Sequence, residues 1–189
     1  MPEKDKVKFG IKNVHIFPML SDTPTYDEVF ALPGAVSLSL NAQGEINKFY
    51  ADNIAYYQTS ANNGYDGDLE IALIVDEMWE KIFNYVKNED NVVTENASKG
   101  VVPFAMTFEE EGDQTGTKFV LYNCTATRPS RSFATIEDTK TPTTQTISIS
   151  AAPLKDGNVM AMTQANTTVK VLQEWHNDVY GYKKTTVEP

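Results

Sequence analysis

Apolar and polar residues alternate with a period of two along most of this chain. Ala35-Val-Ser-Leu-Ser-Leu40 puts Val36, Leu38 and Leu40 on one side and Ser37 and Ser39 on the other, because successive strand side chains point oppositely. A half-buried strand is expected there. Asp68-Leu-Glu-Ile-Ala-Leu-Ile-Val75 repeats the pattern, with Leu69, Ile71, Leu73 and Val75 on the face to be buried. Later, Phe104, Met106 and Phe108 alternate, Phe119 and Leu121 alternate opposite Val120 and Tyr122, and Ile147 and Ile149 complete the series. Short strands at regular spacing, separated by polar turns, predict a mainly β fold of sandwich or barrel type.

Helical spacing occurs twice. Asp76 is placed to cap a helix over 76–87 whose Trp79, Ile82, Phe83 and Val86 follow i, i+3, i+4, i+7 spacing and pack back on the sheet. Near the end, Leu172, Trp175 and Val179 predict a C-terminal helix and tail over 167–189, with the polar Lys183 to Pro189 as a loose end. The expected core therefore includes Leu69, Ile71, Leu73, Val75, Trp79, Ile82, Phe83 and Trp175.

Residues 1–18 read as an extended arm carrying Lys8 and Phe9, which runs into a first strand through Val14, Ile16 and Phe17. Pro18, Pro24 and Pro33 mark loop or edge positions. Between 41 and 67, Glu45-Ile-Asn-Lys-Phe-Tyr50 and Ile54-Ala-Tyr-Tyr-Gln58 are strand-like, and Asn63-Gly64 signals a tight turn, so a projecting hairpin is expected. Phe49, Tyr50, Tyr56, Tyr57 and Tyr65 crowd this region. On the residues alone, the tyrosines fit a protein contact surface and a roof over the core equally well. Arg128 and Arg131 fall in a polar loop and read as solvated charges.

A chain of 189 residues forms one domain, 1–189, and at this size buries roughly 70% of its unfolded surface. Its 16 basic and 26 acidic residues give a net charge of -10, which argues against a surface that grips nucleic-acid backbone. Acidity alone also serves solubility. The single Cys124 cannot form an internal disulfide and reads as a small buried hydrophobe in a strand. No signal-peptide pattern opens the chain and no apolar run has the roughly 20 residues a membrane helix needs, so folding in a reducing cytoplasm, with no membrane partner, is expected.

Catalysis requires positioned acids, bases or nucleophiles, and His15, His176 and Cys124 are the only residues of their types. No phosphate-binding glycine loop, nucleophile elbow or zinc motif accompanies them, so the expectation is no enzyme, no cofactor and no metal. Asn62-Asn-Gly-Tyr-Asp-Gly-Asp68 is oxygen-rich but has Leu73 where a calcium loop needs a bidentate Glu, and reads as a turn.

Three segments together resemble the major tail (tail tube) proteins of long, non-contractile-tailed phages or prophages. They are Val7-Lys-Phe-Gly-Ile-Lys-Asn-Val-His15, Tyr65-Asp-Gly-Asp-Leu-Glu-Ile-Ala-Leu-Ile-Val-Asp-Glu77 and Leu172-Gln-Glu-Trp-His-Asn-Asp-Val-Tyr180. The resemblance implies a tail-tube-type β-sandwich or barrel with a flanking short helix, a long projecting hairpin and extended N- and C-terminal arms. It implies a structural virion protein assembled in the host cytoplasm, which forms stacked hexameric rings through which DNA passes without specific binding. Its implied partners are sister subunits, a tape measure protein, a tail terminator and a distal tail protein. Lys8, Phe9, Phe49, Tyr50, Tyr56, Tyr57 and Tyr65 become the candidate inter-subunit contacts. Two other readings share the β architecture: a monomeric module that binds carbohydrate or a host surface, and the tube protein of a contractile injection system.

Overall fold

The computed structural model describes residues 10–20, 24–112, 116–133, 135 and 143–182. Strands make up 47% and helices 8% of the described residues, which places the chain in the mainly β class. In chain order the strands are β1 (Gly10–Pro18), β2 (Phe30–Ala31), β3 (Ala35–Gln43), β4 (Ile46–Ala51), β5 (Ile54–Ser60), β6 (Gly64–Ile71), β7 (Val86–Lys87), β8 (Val93–Thr94), β9 (Phe104–Glu111), β10 (Lys118–Ala126), β11 (Gln145–Ala151) and β12 (Met160–Met162). A π-helical turn, Met78–Ile82, lies between β6 and β7, and α1 (Val169–Glu174) follows β12.

The main sheet is antiparallel, in the order β2-β1-β9-β10-β11-β6-β3, with β12 also paired to β10. It curls until β1 runs beside β3 with Cα atoms within 8 Å, although no ladder joins them. Their seam is an apolar cleft of about 440 Å³ lined by Ile11, Val36, Leu38, Leu40, Phe108 and Phe119 among others. Inside the curl lies the larger core. Ile16, Met106 and Leu121 from the β1-β9-β10 half meet Leu69, Ile71, Ile147 and Ile149 from the β6-β11 half, all 3% exposed or less.

The two halves of the sheet present different outer faces. Over β1-β9-β10 a second core forms, where Phe17, Tyr26, Ala105, Val120 and Tyr122 are covered by Trp175 and Val179 of the C-terminal segment. Both faces of β9 are therefore buried, from Phe104 through Glu109. The Tyr26 hydroxyl donates to the Tyr122 carbonyl at 2.9 Å, and burial pushes the Tyr122 phenol up to about 12. Among the described residues, the outer face of β3-β6-β11 has no such cover.

The predicted strand at 68–75 stops at Ile71. There the alternation breaks: Ala72 hydrogen-bonds Gly34 and Leu73, expected in the core, is 72% exposed. Ile74 takes the buried place, its N–H held by the Gln145 side chain at 3.2 Å. Val75 is half-buried against the core.

The predicted helix over 76–87 shrinks to a single turn. Phe83 N–H bonds the Met78 carbonyl at 3.0 Å, a five-residue step, and Asn84 then adopts a left-handed φ of 59° that ends the helix. Val86, expected on its apolar stripe, instead belongs to the β7-β8 hairpin and is exposed. Met78, Ile82 and Phe83 are buried, with Trp79 half-buried beside them.

Val36 is also displaced outward. A bulge between Ala35 and Ser37 in the β3-β6 ladder leaves Val36 half exposed, and only Leu38 and Leu40 face inward. Neither loop arginine stands alone: Arg128 pairs with Glu95, and the Arg131 guanidinium lies 4.8 Å over the Trp79 ring.

Candidate assembly surface

The β3-β6 ladder does not end where the sheet does. Beyond Gln43 and Gly64 the same two chains continue as the β4-β5 ribbon, bridged by Ala61 N–H to the Glu45 carbonyl at 3.0 Å and Asn63 N–H to the Gln43 carbonyl at 2.8 Å. Gly44 sits at this junction with a φ of 152°, and a Cβ there would lie 2.0 Å from the Ala61 carbonyl oxygen. Only glycine fits. The tight turn is at the far tip, where Asp52 and Asn53 both take left-handed φ values of 53° and 62°. Asn63-Gly64, the expected turn, instead marks the bend at which the ribbon enters the sheet.

The ribbon pairs with no third strand among the described residues. Phe49 faces Tyr57 and Tyr50 faces Ala55 across the ladder, with a bulge between the two pairs. Ile46, Phe49, Tyr50, Ile54, Tyr56 and Tyr57 are each between 61% and 71% exposed. A two-stranded ribbon alone in water is marginal, and this one is apolar without a core of its own. At about 1.5–3 kcal/mol for each fully buried large side chain, covering the six is worth on the order of 10 kcal/mol before the costs of association.

Where β6 pairs with β3 on one side and β11 on the other, the outer face of the three strands is polar and acidic. Register places three rows side by side: Ser37, Glu70 and Thr146; Ser39, Asp68 and Ser148; Asn41, Asp66 and Ser150. No lysine or arginine stands in these rows. The hydroxyls point at the carboxylates: Ser148 Oγ donates to Asp68 at 2.7 Å, and Ser37 Oγ and Thr144 Oγ1 donate to Glu70 at 3.0 and 2.6 Å. The Thr144 hydroxyl first, then that of Ser37, holds the Glu70 carboxyl below its ordinary range.

Of the residues singled out from sequence, Phe49, Tyr50, Tyr56 and Tyr57 come together on the ribbon. Tyr65 does not join them: it lies in β6, half-buried against the larger core. Lys8 and Phe9 lie outside the described residues. Ile46 and Ile54 are part of the same exposed surface, and nothing in their strand-like segments singles them out in the sequence. The acidic rows were overlooked as a surface, although Asp66, Asp68 and Glu70 alternate in the sequence. Cys124 is fully buried in β10, and burial pushes its thiol pKa up. Among the described residues, no group of three His, Cys, Asp or Glu is placed to hold a metal ion, and no helix is long and apolar enough to cross a membrane. Compared with known proteins, the sequence matches no family model and no curated protein.

Proposed function

We propose that this chain is a structural subunit of the tail tube of a long, non-contractile-tailed phage, stacking as hexameric rings around a channel for DNA. The observation that supports this most is the continuity of two strands. β3 and β6 carry the acidic, cation-free face and, beyond Gly44, the unsupported apolar ribbon. A channel wall must let a duplex slide, and a surface of carboxylates and hydroxyls offers its phosphates no cation to bind. A ring subunit must also reach its neighbours, and an apolar ribbon with nothing to pack on gains most from doing so. In this reading Asp66, Asp68 and Glu70 line the channel, the ribbon joins sister subunits, and the protein has no chemistry and no cofactor of its own. A tape measure protein inside the tube, and terminator and distal tail proteins at its ends, follow as partners in the virion.

Electron microscopy of the purified, concentrated protein over a salt series is the direct test. Rings or tubes with sixfold symmetry are expected, and a protein that stays monomeric throughout sinks the reading. The exposed Tyr50, Tyr56 and Tyr57 also suit stacking on sugar rings. A monomer that binds glycans through them would establish the binding-module alternative.

A further inference from the structure

Both histidines of the chain meet in one cluster against β1 and β9. The β1-β9 ladder carries a bulge between Lys12 and His15, with Asn13 at a φ of 53°. The extra residue brings His15 opposite Thr107 and so onto the face that carries Glu109. From the C-terminal segment His176 stacks on His15, ring centroids 4.8 Å apart and planes 27° apart. His176 is wired from both sides: Thr107 Oγ1 lies 2.9 Å from Nδ1, and Nε2 lies 2.8 Å from Glu109 Oε1. Glu109, 8% exposed, also accepts hydrogen bonds from Lys118 Nζ and, at 3.1 Å on Oε2, from Asn13 Nδ2.

These contacts suit a neutral His176. An anionic Glu109 can only accept, so Nε2 carries the proton and Nδ1 accepts from the fully buried Thr107 hydroxyl. A second proton on Nδ1 would turn that hydroxyl away from its partner. It would also charge a ring beside Lys118 and against His15. Burial lowers the His176 pKa most, and the charges of Lys118 and His15 lower it further, outweighing Glu109. Glu109 is likewise below its ordinary value, because the bonds from Lys118 and His176 overcome the cost of burial. The other charged groups nearby are Lys12, paired opposite Glu109 in the ladder, and Glu174 and Asp178, two residues to either side of His176.

We propose that the His15–His176–Glu109 cluster is a pH-operated latch on the C-terminal segment Val169–Tyr182, closed while the His176 ring is neutral and loosened at mildly acid pH. It acts beside the apolar packing of Trp175, Val179 and Tyr182 on the second core. α1 buries no residue of its own, and the segment is otherwise held by Trp175, whose Nε1 donates to the Phe119 carbonyl at 3.1 Å, by Val179, and by the Tyr182 hydroxyl on Asp156. The sign follows from the depressed pKa of His176: the latch contributes fully above the ordinary histidine value near 6.5 and is lost as pH falls through the lower folded value. Opening it uncovers Phe17, Tyr26, Val120 and Tyr122, an apolar patch able to take the same segment from a second copy. The inference does not depend on tube formation and is tested on the monomer.

Amide hydrogen exchange at about pH 8 and about pH 5.5, corrected for intrinsic rates, reads the latch directly. Residues 169–182 are expected to exchange about tenfold faster at the lower pH, while β6 and β11 stay unchanged. His176→Gln, which can still donate to Glu109 but cannot titrate, should abolish the difference. A segment that does not respond, a response spread over the whole molecule, or an equal response in His176→Gln overturns the proposal. Ring-proton NMR of the wild-type protein gives a reading that needs no variant. The His176 ring should titrate below the ordinary value in step with the exchange, and an ordinary His176 titration with unchanged exchange would count against the latch.

Discussion

A methyl group added at Gly67 would sit 1.7 Å from the Ser39 carbonyl oxygen, so β3 and β6 close on each other only because that position has no side chain. Gly67→Ala should cost more than about 2 kcal/mol, read as a fall in the urea midpoint with little change in slope. Next along the chain, Leu73 and Ile74 have exchanged the roles that alternation assigns them. Leu73→Asp should change stability by less than about 0.5 kcal/mol, whereas Ile74→Asp should unfold the subunit by burying an unpaired charge. Equal melting curves for the two variants would contradict the observed strand end. Sequence spacing could not reveal that end. It depends on Gln145 reaching Ile74 from a strand seventy-one residues away, and on Gly34 accepting the Ala72 N–H.

Where large apolar residues alternate, the strand was readable: β9, β10 and β11 lie where that period of two puts them, β9 even with both faces buried. Elements shaped by a neighbour were not. The stripe of Trp79, Ile82 and Phe83 suits a regular helix, yet Asn84 in a left-handed conformation leaves one wide turn and gives Val86 to a hairpin. The ribbon was legible as a projection but not in its limits, since Asp52-Asn53 forms the tip and Gly64 already belongs to β6. Removing residues 45–61, so that Gly44 runs directly to Asn62, should therefore leave a folded monomer with a melting temperature within a few degrees of the parent. On the proposed reading it forms no rings. Tubes of ordinary length from this variant, seen by electron microscopy, would remove the ribbon from assembly. Phe49→Ser with Tyr56→Ser should have the same effect on assembly while leaving the core intact.

For the molecule as a whole, the division between a covered and an uncovered outer face could not be read from alternation, which separates two faces but does not name their surroundings. Asp66, Asp68 and Glu70 look like any solvated strand face until register sets them in rows with Ser37, Ser39 and Asn41. If that face lines a channel, virions built with Asp68→Lys and Glu70→Lys should carry tails of normal length but release DNA roughly tenfold more slowly, the delay shrinking as salt is raised. Release at the parental rate would assign the channel to another surface. The shared path of ribbon and sheet also has a mechanical consequence. Ladder hydrogen bonds run across the strands, so tension applied along the ribbon loads the β3-β6 and β6-β11 bonds together in shear instead of peeling them one by one. An assembly gripped through that ribbon would stretch as a stiff cable, yielding only when whole rows of bonds fail at once.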